Sequence, residues 1–226
     1  MYNISSLILE VTRRCNMKCE HCLRGCAENE DMKFEVLEAL EENVNYIGSA
    51  TFSGGEPTLN PEIIIEYTNL FKEITSDFFM ATNGTIYSEQ IMSALVELYA
   101  HSDEQDLCCL AVSRDQFRDT VNREILNRYK AFSFFNDECK SQPIQYIIDS
   151  GLAKENNIGN RESHYQSLKI DDDTIEMLYI NVFGDVLTDC ETSYDNQQSL
   201  SIGNILEESL EKIIEREISR MNDLVA

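Results

Sequence analysis

The chain has 226 residues, and hydrophobic residues make up 42% of it and are spread along its length. This length suits one well-buried α/β domain, and the composition excludes a disordered chain and a membrane protein. A formal net charge of −23 argues against nucleic acid as a partner, since phosphate binding needs a basic surface. The amino-terminal apolar run is too short for a signal peptide or a membrane span, so we expect a cytoplasmic protein with no membrane partner.

Strand and helix patterns alternate along the first two thirds of the chain. Short apolar runs predict strands at residues 7–12, 49–53, 78–82, 107–112 and 144–148. Helical spacing and start signals predict helices over residues 34–44, from 61 onward after a cap at 60, and near 88–99 and 119–129. This alternation is typical of parallel βαβ units, in which the chemistry gathers at the carboxyl ends of the strands.

The order changes after the polar loop that ends at residue 163. Residues 177–182 and 186–188 flank Phe183-Gly184-Asp185, which predicts a sixth strand that turns into a hairpin. Between Ile205 and Ile218 the apolar residues share one helical face, and this pattern predicts a closing helix packed against the core.

The segment CNMKCEHC, from Cys15 to Cys22, holds three cysteines and a histidine in eight residues. Cysteines clustered at one end of a chain of this size indicate thiolate chemistry in a reducing compartment rather than disulfides. A cubane iron–sulfur cluster normally takes four thiolates, so three would leave one iron open. The alternative is a structural zinc site made by Cys15, Cys19, Cys22 and Cys26, or with His21 in place of one of them.

A second motif, FSGGEPTLNP, follows the second predicted strand at residues 52–61. Gly54 and Gly55 leave room for a ligand to approach the backbone, and Glu56 presents a carboxylate where an ammonium group could be held. A glycine pair is a weak signal by itself. Its place one strand after the cysteine segment makes the combination specific.

At these two motifs the sequence resembles the radical S-adenosylmethionine (SAM) superfamily, whose C-x3-C-x2-C motif precedes a Gly-Gly-Glu loop by one strand. The resemblance extends to TNG at residues 82–84, to SRD at 113–115, and to a tail similar to that of peptide- and cofactor-modifying members. It implies a partial (β/α)6 barrel of the radical SAM type with a short C-terminal hairpin and helix. We expect a single domain over residues 1–226, with a core of about 5–182 and an extension of about 183–226.

The resemblance also assigns residues to two cofactors. Cys15, Cys19 and Cys22 would ligate one [4Fe-4S] cluster, whose open iron binds SAM. The residues that match SAM-binding positions are His21, Gly54, Gly55, Glu56, Asn83, Ser113 and Gly151. By this resemblance His21 lies near the adenine, and the Gly-Gly-Glu loop holds the methionine ammonium. The family chemistry is reductive cleavage of SAM to methionine and a 5′-deoxyadenosyl radical, which abstracts hydrogen from a small-molecule or peptide substrate.

Cys190 is the one cysteine of the tail, so a second cluster there lacks ligands, and we predict a single cluster. Cys190 is instead a candidate hydrogen donor to a substrate radical. The basic residues near the cysteines predict a surface patch that docks an acidic electron donor such as flavodoxin or ferredoxin. These residues are Arg13, Arg14, Lys18 and Arg24.

Two alternatives stay open at this point. One is a non-catalytic protein with a structural zinc or a sensing cluster. The other is a radical SAM enzyme that modifies a nucleotide, for which Arg114 and Arg118 are the obvious basic residues at the strand ends. Cys108 and Cys109 lie in an apolar strand and are predicted to be core residues, whereas Cys139 carries no spacing signal.

Overall fold

A mostly parallel β-sheet organises the part of the chain that the computed structural model describes, namely residues 1–118, 122–136 and 143–225. Its strands are β1 (Tyr2–Thr12), β2 (Val44–Gly54), β3 (Thr75–Thr82), β4 (Cys109–Val112), β5 (Ile170–Asp171), β6 (Thr174–Ile180), β7 (Asp185–Leu187) and β8 (Gly203–Asn204). The order across the sheet is β4-β3-β2-β1-β6-β7-β8, and β5 pairs with β6. The mixed α/β fold class is thereby confirmed.

Helices connect and cover these strands. They are α1 (Phe34–Glu41), α2 (Pro61–Phe71), α3 (Glu89–His101), α4 (Arg123–Tyr129), α5 (Gly151–Glu155), α6 (Tyr194–Leu200) and α7 (Leu210–Val225). Ser88 caps α3 by accepting a hydrogen bond from the backbone N–H of Ile91. Across the described residues, every helix is too short or too polar to cross a bilayer.

Val44 was predicted to end the first helix but begins β2 instead. The helix ends at Glu41, and the N–H of Asn43 bonds the carbonyl of Leu40 at 3.0 Å, which reverses the chain into the strand. Asn60 also behaves differently from a cap. It precedes α2 as predicted, but its side-chain amide donates to the carbonyl of Val11 at 2.7 Å and leaves the helix uncapped by a side chain.

The predicted fifth strand at residues 144–148 is wrong. Residues 134–136 already occupy the free edge of β4, because Leu110 donates to the carbonyl of Phe134 and accepts from the N–H of Asn136. The backbone of Ile147 is used by a loop, since its carbonyl accepts from Asn160 and Arg161. A local apolar run cannot reveal that its place in the sheet is already taken.

β1 lies at the centre of the sheet and fixes the location of the functional motifs. It pairs in parallel with β2 on one side and with β6 on the other. The segment that follows β1 therefore lies between the carboxyl ends of two neighbouring strands. The hairpin predicted after the sixth strand is confirmed: Gly184, at φ +84°, closes the turn between β6 and β7, and its N–H bonds the carbonyl of Asn181.

One hydrophobic core extends from β1 to the last helix. It includes Ile4 and Leu9 of β1 and also Leu210, Ile213 and Ile214 of α7, all of which are fully buried. The apolar face of the predicted closing helix joins the core that the sheet and the first helices form, as expected. The helix begins at Leu210 and not at Ile205, which reaches the core from the turn before it.

Candidate active site

The three cysteines of the first motif lie in the segment of residues 13–28, which we call the cysteine loop and which leaves the carboxyl end of β1. Cys15, Cys19 and Cys22 are half-buried free thiols. Burial raises the pKa of Cys15 and of Cys19, and both are close enough to Cys22 for its charge to raise their pKa values further. Cys26 is an exposed free thiol. Within the described ranges, no three His, Cys, Asp or Glu side chains form a site for a single metal ion.

Gly54 and Gly55 allow the second motif to contact the cysteine loop directly. The backbone N–H of Gly55 bonds the carbonyl of Thr12 at 2.8 Å, and that of Glu56 bonds the carbonyl of Arg14 at the same distance. A Cβ on Gly55 would lie 2.3 Å from the carbonyl oxygen of Arg14. The close approach in the structure is thus to the protein's own backbone, and contact of these glycines with SAM stays a prediction.

Glu56 is 2% exposed, and its carboxylate accepts hydrogen bonds from neutral groups. The hydroxyls of Thr58 and Thr82 donate to Oε1, and the backbone N–H of Asn83 donates to Oε2 at 2.8 Å. Burial raises the pKa of this carboxyl, although its hydrogen bonds lower it. No cation of the described residues lies within ion-pair distance of it, so the site holds a buried carboxylate without a counter-charge.

Asn83 links the carboxyl end of β3 to the cysteine loop. Its side-chain N–H donates to Oδ1 of Asn16 at 2.7 Å, and its Oδ1 accepts from the hydroxyl of Thr85. Asn16 in turn donates to Thr85. The amide predicted to line the SAM pocket is therefore engaged by protein groups, and it holds the turn after β3 against the residue that follows Cys15.

His21 stacks on Phe117, with ring centroids 4.4 Å apart. Its Nε2 lies 3.1 Å from the guanidinium of Arg118, which pairs with Asp115 at 2.9 Å. Burial lowers the pKa of His21 and the charge of Arg118 lowers it further, so the imidazole is neutral. Since Nε2 accepts from Arg118, the proton lies on Nδ1, and this buried nitrogen has no hydrogen-bond partner.

Ser113 and Gly151 have different surroundings. Ser113, at the carboxyl end of β4, is buried, and its N–H bonds the carbonyl of Thr82 at 2.8 Å. Gly151, at φ +52°, begins α5, and a Cβ there would lie 2.5 Å from the N of Gly25 and the carbonyl of Leu23. Gly151 therefore packs against the end of the cysteine loop, and its predicted contact with the adenine stays a prediction.

The tail reaches the cysteine loop through Arg24. The guanidinium donates to the carbonyls of Cys190 and Thr192 at 2.9 and 2.7 Å and lies over the ring of Tyr179. Cys190 is half-buried, and burial raises the pKa of its thiol while Arg24 lowers it. These contacts place Cys190 beside the loop that carries Cys22.

The predicted basic patch is wrong as a surface feature. Arg13 and Arg24 are 5% and 8% exposed, and Arg14 pairs with Asp31 at 2.8 Å. Arg13 pairs with the fully buried Glu10 at 2.8 Å and donates to Gln197 in α6. Of the four residues, Lys18 is exposed. A cluster of basic residues in the sequence does not show that Arg13 bonds Gln197 and that Arg24 bonds the carbonyl of Cys190, both far along the chain.

This buried polar network was missed in the sequence. Glu10 accepts from Arg13, from the hydroxyl of Tyr179 and from the side chain of Gln197 at 2.6 Å. A charged residue that interrupts an apolar strand, as Glu10 interrupts LILEVT, is the signal that could have found it.

Comparison with known proteins identifies the family of the chain. The family model described as "Radical SAM superfamily" matches residues 9–129, which is more than half of the chain and includes both motifs. The chain belongs to the radical SAM superfamily. This is a family of enzymes that use a [4Fe-4S] cluster and SAM. The chain spans 35% and 37% of the lengths of the first two curated relatives that it matches.

Three similar proteins illustrate the range of this radical SAM family. The GTP 3′,8-cyclase of Desulforamulus reducens is 30% identical over 66% of this chain and 44% of its own length. The structure of BtrN in complex with AdoMet and 2-DOIA has a TM-score of 0.56 at 19% identity and covers 93% of this chain and 81% of BtrN. anSMEcpe with bound AdoMet and a Cp18Cys peptide has a TM-score of 0.55 at 16% identity and covers 94% and 80%. These structures show the fold.

The residues present fit the family's two cofactors. Three free thiols without a fourth partner suit a cubane with one open iron. The buried carboxylate of Glu56 lacks a counter-charge, which the ammonium of SAM would supply. The unpartnered Nδ1 of His21 offers a donor to an acceptor such as an adenine nitrogen.

Proposed function

We propose that the protein is a radical SAM enzyme in which Cys15, Cys19 and Cys22 ligate one [4Fe-4S] cluster. The observation that carries this proposal is the junction between the two motifs. The cysteine loop leaves β1 at the point where the backbone N–H groups of Gly55 and Glu56 bond the carbonyls of Thr12 and Arg14. When bound, the cluster supplies the electron that cleaves SAM to methionine and a 5′-deoxyadenosyl radical.

The residues around the thiols bind and orient SAM in this proposal. Glu56 accepts the methionine ammonium, since Oε2 receives one hydrogen bond and keeps a free lone pair. His21 is held in one orientation by Phe117 and Arg118 and presents Nδ1–H to the adenine. Gly54 and Gly55 fix the distance between Glu56 and the cysteines.

We infer that the substrate is a small molecule or a peptide, the classes bound by BtrN and anSMEcpe. A nucleoside triphosphate is the weaker candidate for the substrate. Arg118 already pairs with Asp115 and would have to exchange that partner for a phosphate group. Cys190 is the candidate hydrogen donor to a substrate radical, since Arg24 holds its backbone beside the cysteine loop. The electron donor in this proposal is an acidic protein such as flavodoxin or ferredoxin, for which Lys18 is the exposed residue of the four basic residues near the cysteines.

The test is an anaerobic assay of protein reconstituted with iron and sulfide. Reduced protein should convert SAM to 5′-deoxyadenosine and methionine, slowly, even without substrate. Replacing Cys15, Cys19 and Cys22 together by alanine should abolish both the iron and the product. The matched control is Cys26→Ala, which removes a nearby exposed thiol and should leave both unchanged. Product formation by the triple variant would refute the assignment.

A further inference from the structure

Three side chains from the cysteine loop and the turn after β3 form a closed ring of hydrogen bonds. The amide N–H of Asn83 donates to Oδ1 of Asn16 at 2.7 Å, and the amide N–H of Asn16 donates to the hydroxyl of Thr85 at 2.7 Å. The hydroxyl of Thr85 closes the ring by donating to Oδ1 of Asn83 at 2.6 Å. Each contact of this Asn16–Asn83–Thr85 ring joins one donor to one acceptor.

The ring joins segments that are distant in the sequence. Asn16 lies between Cys15 and Cys19, and it is 67 positions from Asn83 and 69 positions from Thr85. Asn16 is exposed, so its amide could bond water instead and does not need these partners to avoid the cost of an unsatisfied buried group. What the two bonds add is a fixed position for the residue that follows Cys15.

Asn83 connects this ring to the carboxylate that accepts the ammonium of SAM in the proposed function. Its backbone N–H donates to Oε2 of Glu56 at 2.8 Å, and the hydroxyl of the preceding Thr82 donates to Oε1. Asn83 is itself 7% exposed. One buried residue therefore holds Glu56 through its backbone and the cysteine loop through its side chain.

We propose that Asn16 and Thr85 are positioning residues for SAM, because the ring holds the first half of the cysteine loop at a fixed place relative to Glu56. The inference rests on the proposed function, in which SAM contacts both the open iron and Glu56. A loop that leaves this place must be brought back when SAM binds. The apparent affinity then falls in proportion to the fraction of molecules in which the loop is in place.

Thr85→Val tests the ring, because it removes the hydroxyl and keeps the branched shape of the side chain. In the full chain with an oxidised cluster, SAM affinity should fall about tenfold, the order of one net hydrogen bond, at unchanged iron content. Thr85→Ser restores the hydroxyl and should restore the affinity. Equilibrium dialysis with labelled SAM and iron analysis measure the two quantities.

A second readout needs neither cluster nor SAM. In the cluster-free full chain, Thr85→Val should raise the alkylation rates of the half-buried Cys15 and Cys19 about fivefold, because a loop released from the ring opens more often. Cys26 is exposed, serves as the internal reference, and should react at its wild-type rate. Mass spectrometry of the alkylated peptides gives each rate separately.

Thr75→Val is the matched control at the other end of the same strand. The hydroxyl of Thr75 bonds the hydroxyl of Tyr67 and the carbonyl of Phe71, each at 2.8 Å, at the amino end of β3. Its loss should lower the melting temperature and leave the SAM affinity and the alkylation rates unchanged.

A double variant tests whether the ring acts as one unit. Asn16→Ala should weaken SAM binding about as much as Thr85→Val does. The two changes together should weaken it no further than either one, because one missing side chain already opens the ring.

The possible failures are distinguishable. If wild-type protein takes up no [4Fe-4S] cluster or its loaded form binds no SAM, the proposed function itself fails. If wild-type protein does both, then wild-type SAM affinity or wild-type alkylation rates in Thr85→Val overturn the inference alone. Iron loss in that variant, failure of Thr85→Ser to restore the affinity, an equal loss in Thr75→Val, or additive losses in the double variant would also overturn it.

Discussion

Gly55→Ala tests whether the junction between the two motifs positions the thiols. A Cβ at this position would lie 2.3 Å from the carbonyl oxygen of Arg14 and 2.9 Å from that of Arg13, and both are backbone atoms that cannot rotate away. The loop must move, which weakens the bonds from Gly55 to Thr12 and from Glu56 to Arg14. We expect a variant that folds but holds the cysteine loop in the wrong place.

The magnitude follows from two costs. Forced overpacking costs about 1–3 kcal/mol, and each weakened hydrogen bond costs up to about 1 kcal/mol. A total of about 3 kcal/mol lowers the melting temperature of a chain of this size by about 6–12 °C. The assay is calorimetry of the cluster-free protein together with iron per chain after reconstitution. Iron in Gly55→Ala should fall well below the roughly four atoms of one cubane.

Gly48→Ala is the control, because it produces a similar clash elsewhere on the same two strands. Its Cβ would lie 2.6 Å from the carbonyl oxygen of Ser5, in the middle of the pairing between β1 and β2. It should lower the melting temperature by a comparable amount and keep the full iron content. Equal iron loss in both variants, or full iron in Gly55→Ala, would refute the reasoning.

Two further variants separate SAM binding from cluster binding. Glu56→Gln should weaken SAM binding by about tenfold or more, because it removes the counter-charge of the ammonium, and it should keep the iron. Equilibrium dialysis with labelled SAM and iron analysis check this prediction. Loss of iron in the variant would show that Glu56 has a folding role instead. Cys190→Ala should keep roughly four iron atoms per chain; iron that falls by half would reveal a second cluster, and unchanged iron with lost substrate turnover would identify Cys190 as a hydrogen donor.

The sequence predicted the elements whose signals are local. Gly184 has the positive φ that the turn after β6 requires, and Ser88 caps α3 at the position where the pattern predicted that the helix begins. Spacing alone was also enough to place the three cysteines directly after a strand. These features depend on residues within a few positions of one another, which is the range that periodicity and turn chemistry report.

The features that were missed depend on contacts between distant residues. Arg13 bonds Gln197, which is 184 positions away, and this contact turns an expected surface charge into a buried one. Residues 134–136 take the edge of β4 that the fifth predicted strand would need. Glu56 was expected to present a carboxylate to an ammonium group, and the hydrogen bonds that it accepts from Thr82 and Asn83, at the carboxyl end of β3, were not foreseen. None of these partners can be inferred from the residues beside them.

These contacts explain how three thiols can be held in place by protein groups. The Gly55–Glu56 segment fixes the start of the cysteine loop, and the N–H of Leu152 bonds the carbonyl of Cys22 at 2.9 Å near its end. Arg24 then joins the loop to the tail. Each anchor comes from a different element and uses backbone or buried side-chain groups rather than a ligand atom. Binding of a metal to an unordered segment includes the free-energy cost of ordering that segment. Anchors made by the protein itself would lower this cost for the cysteine loop.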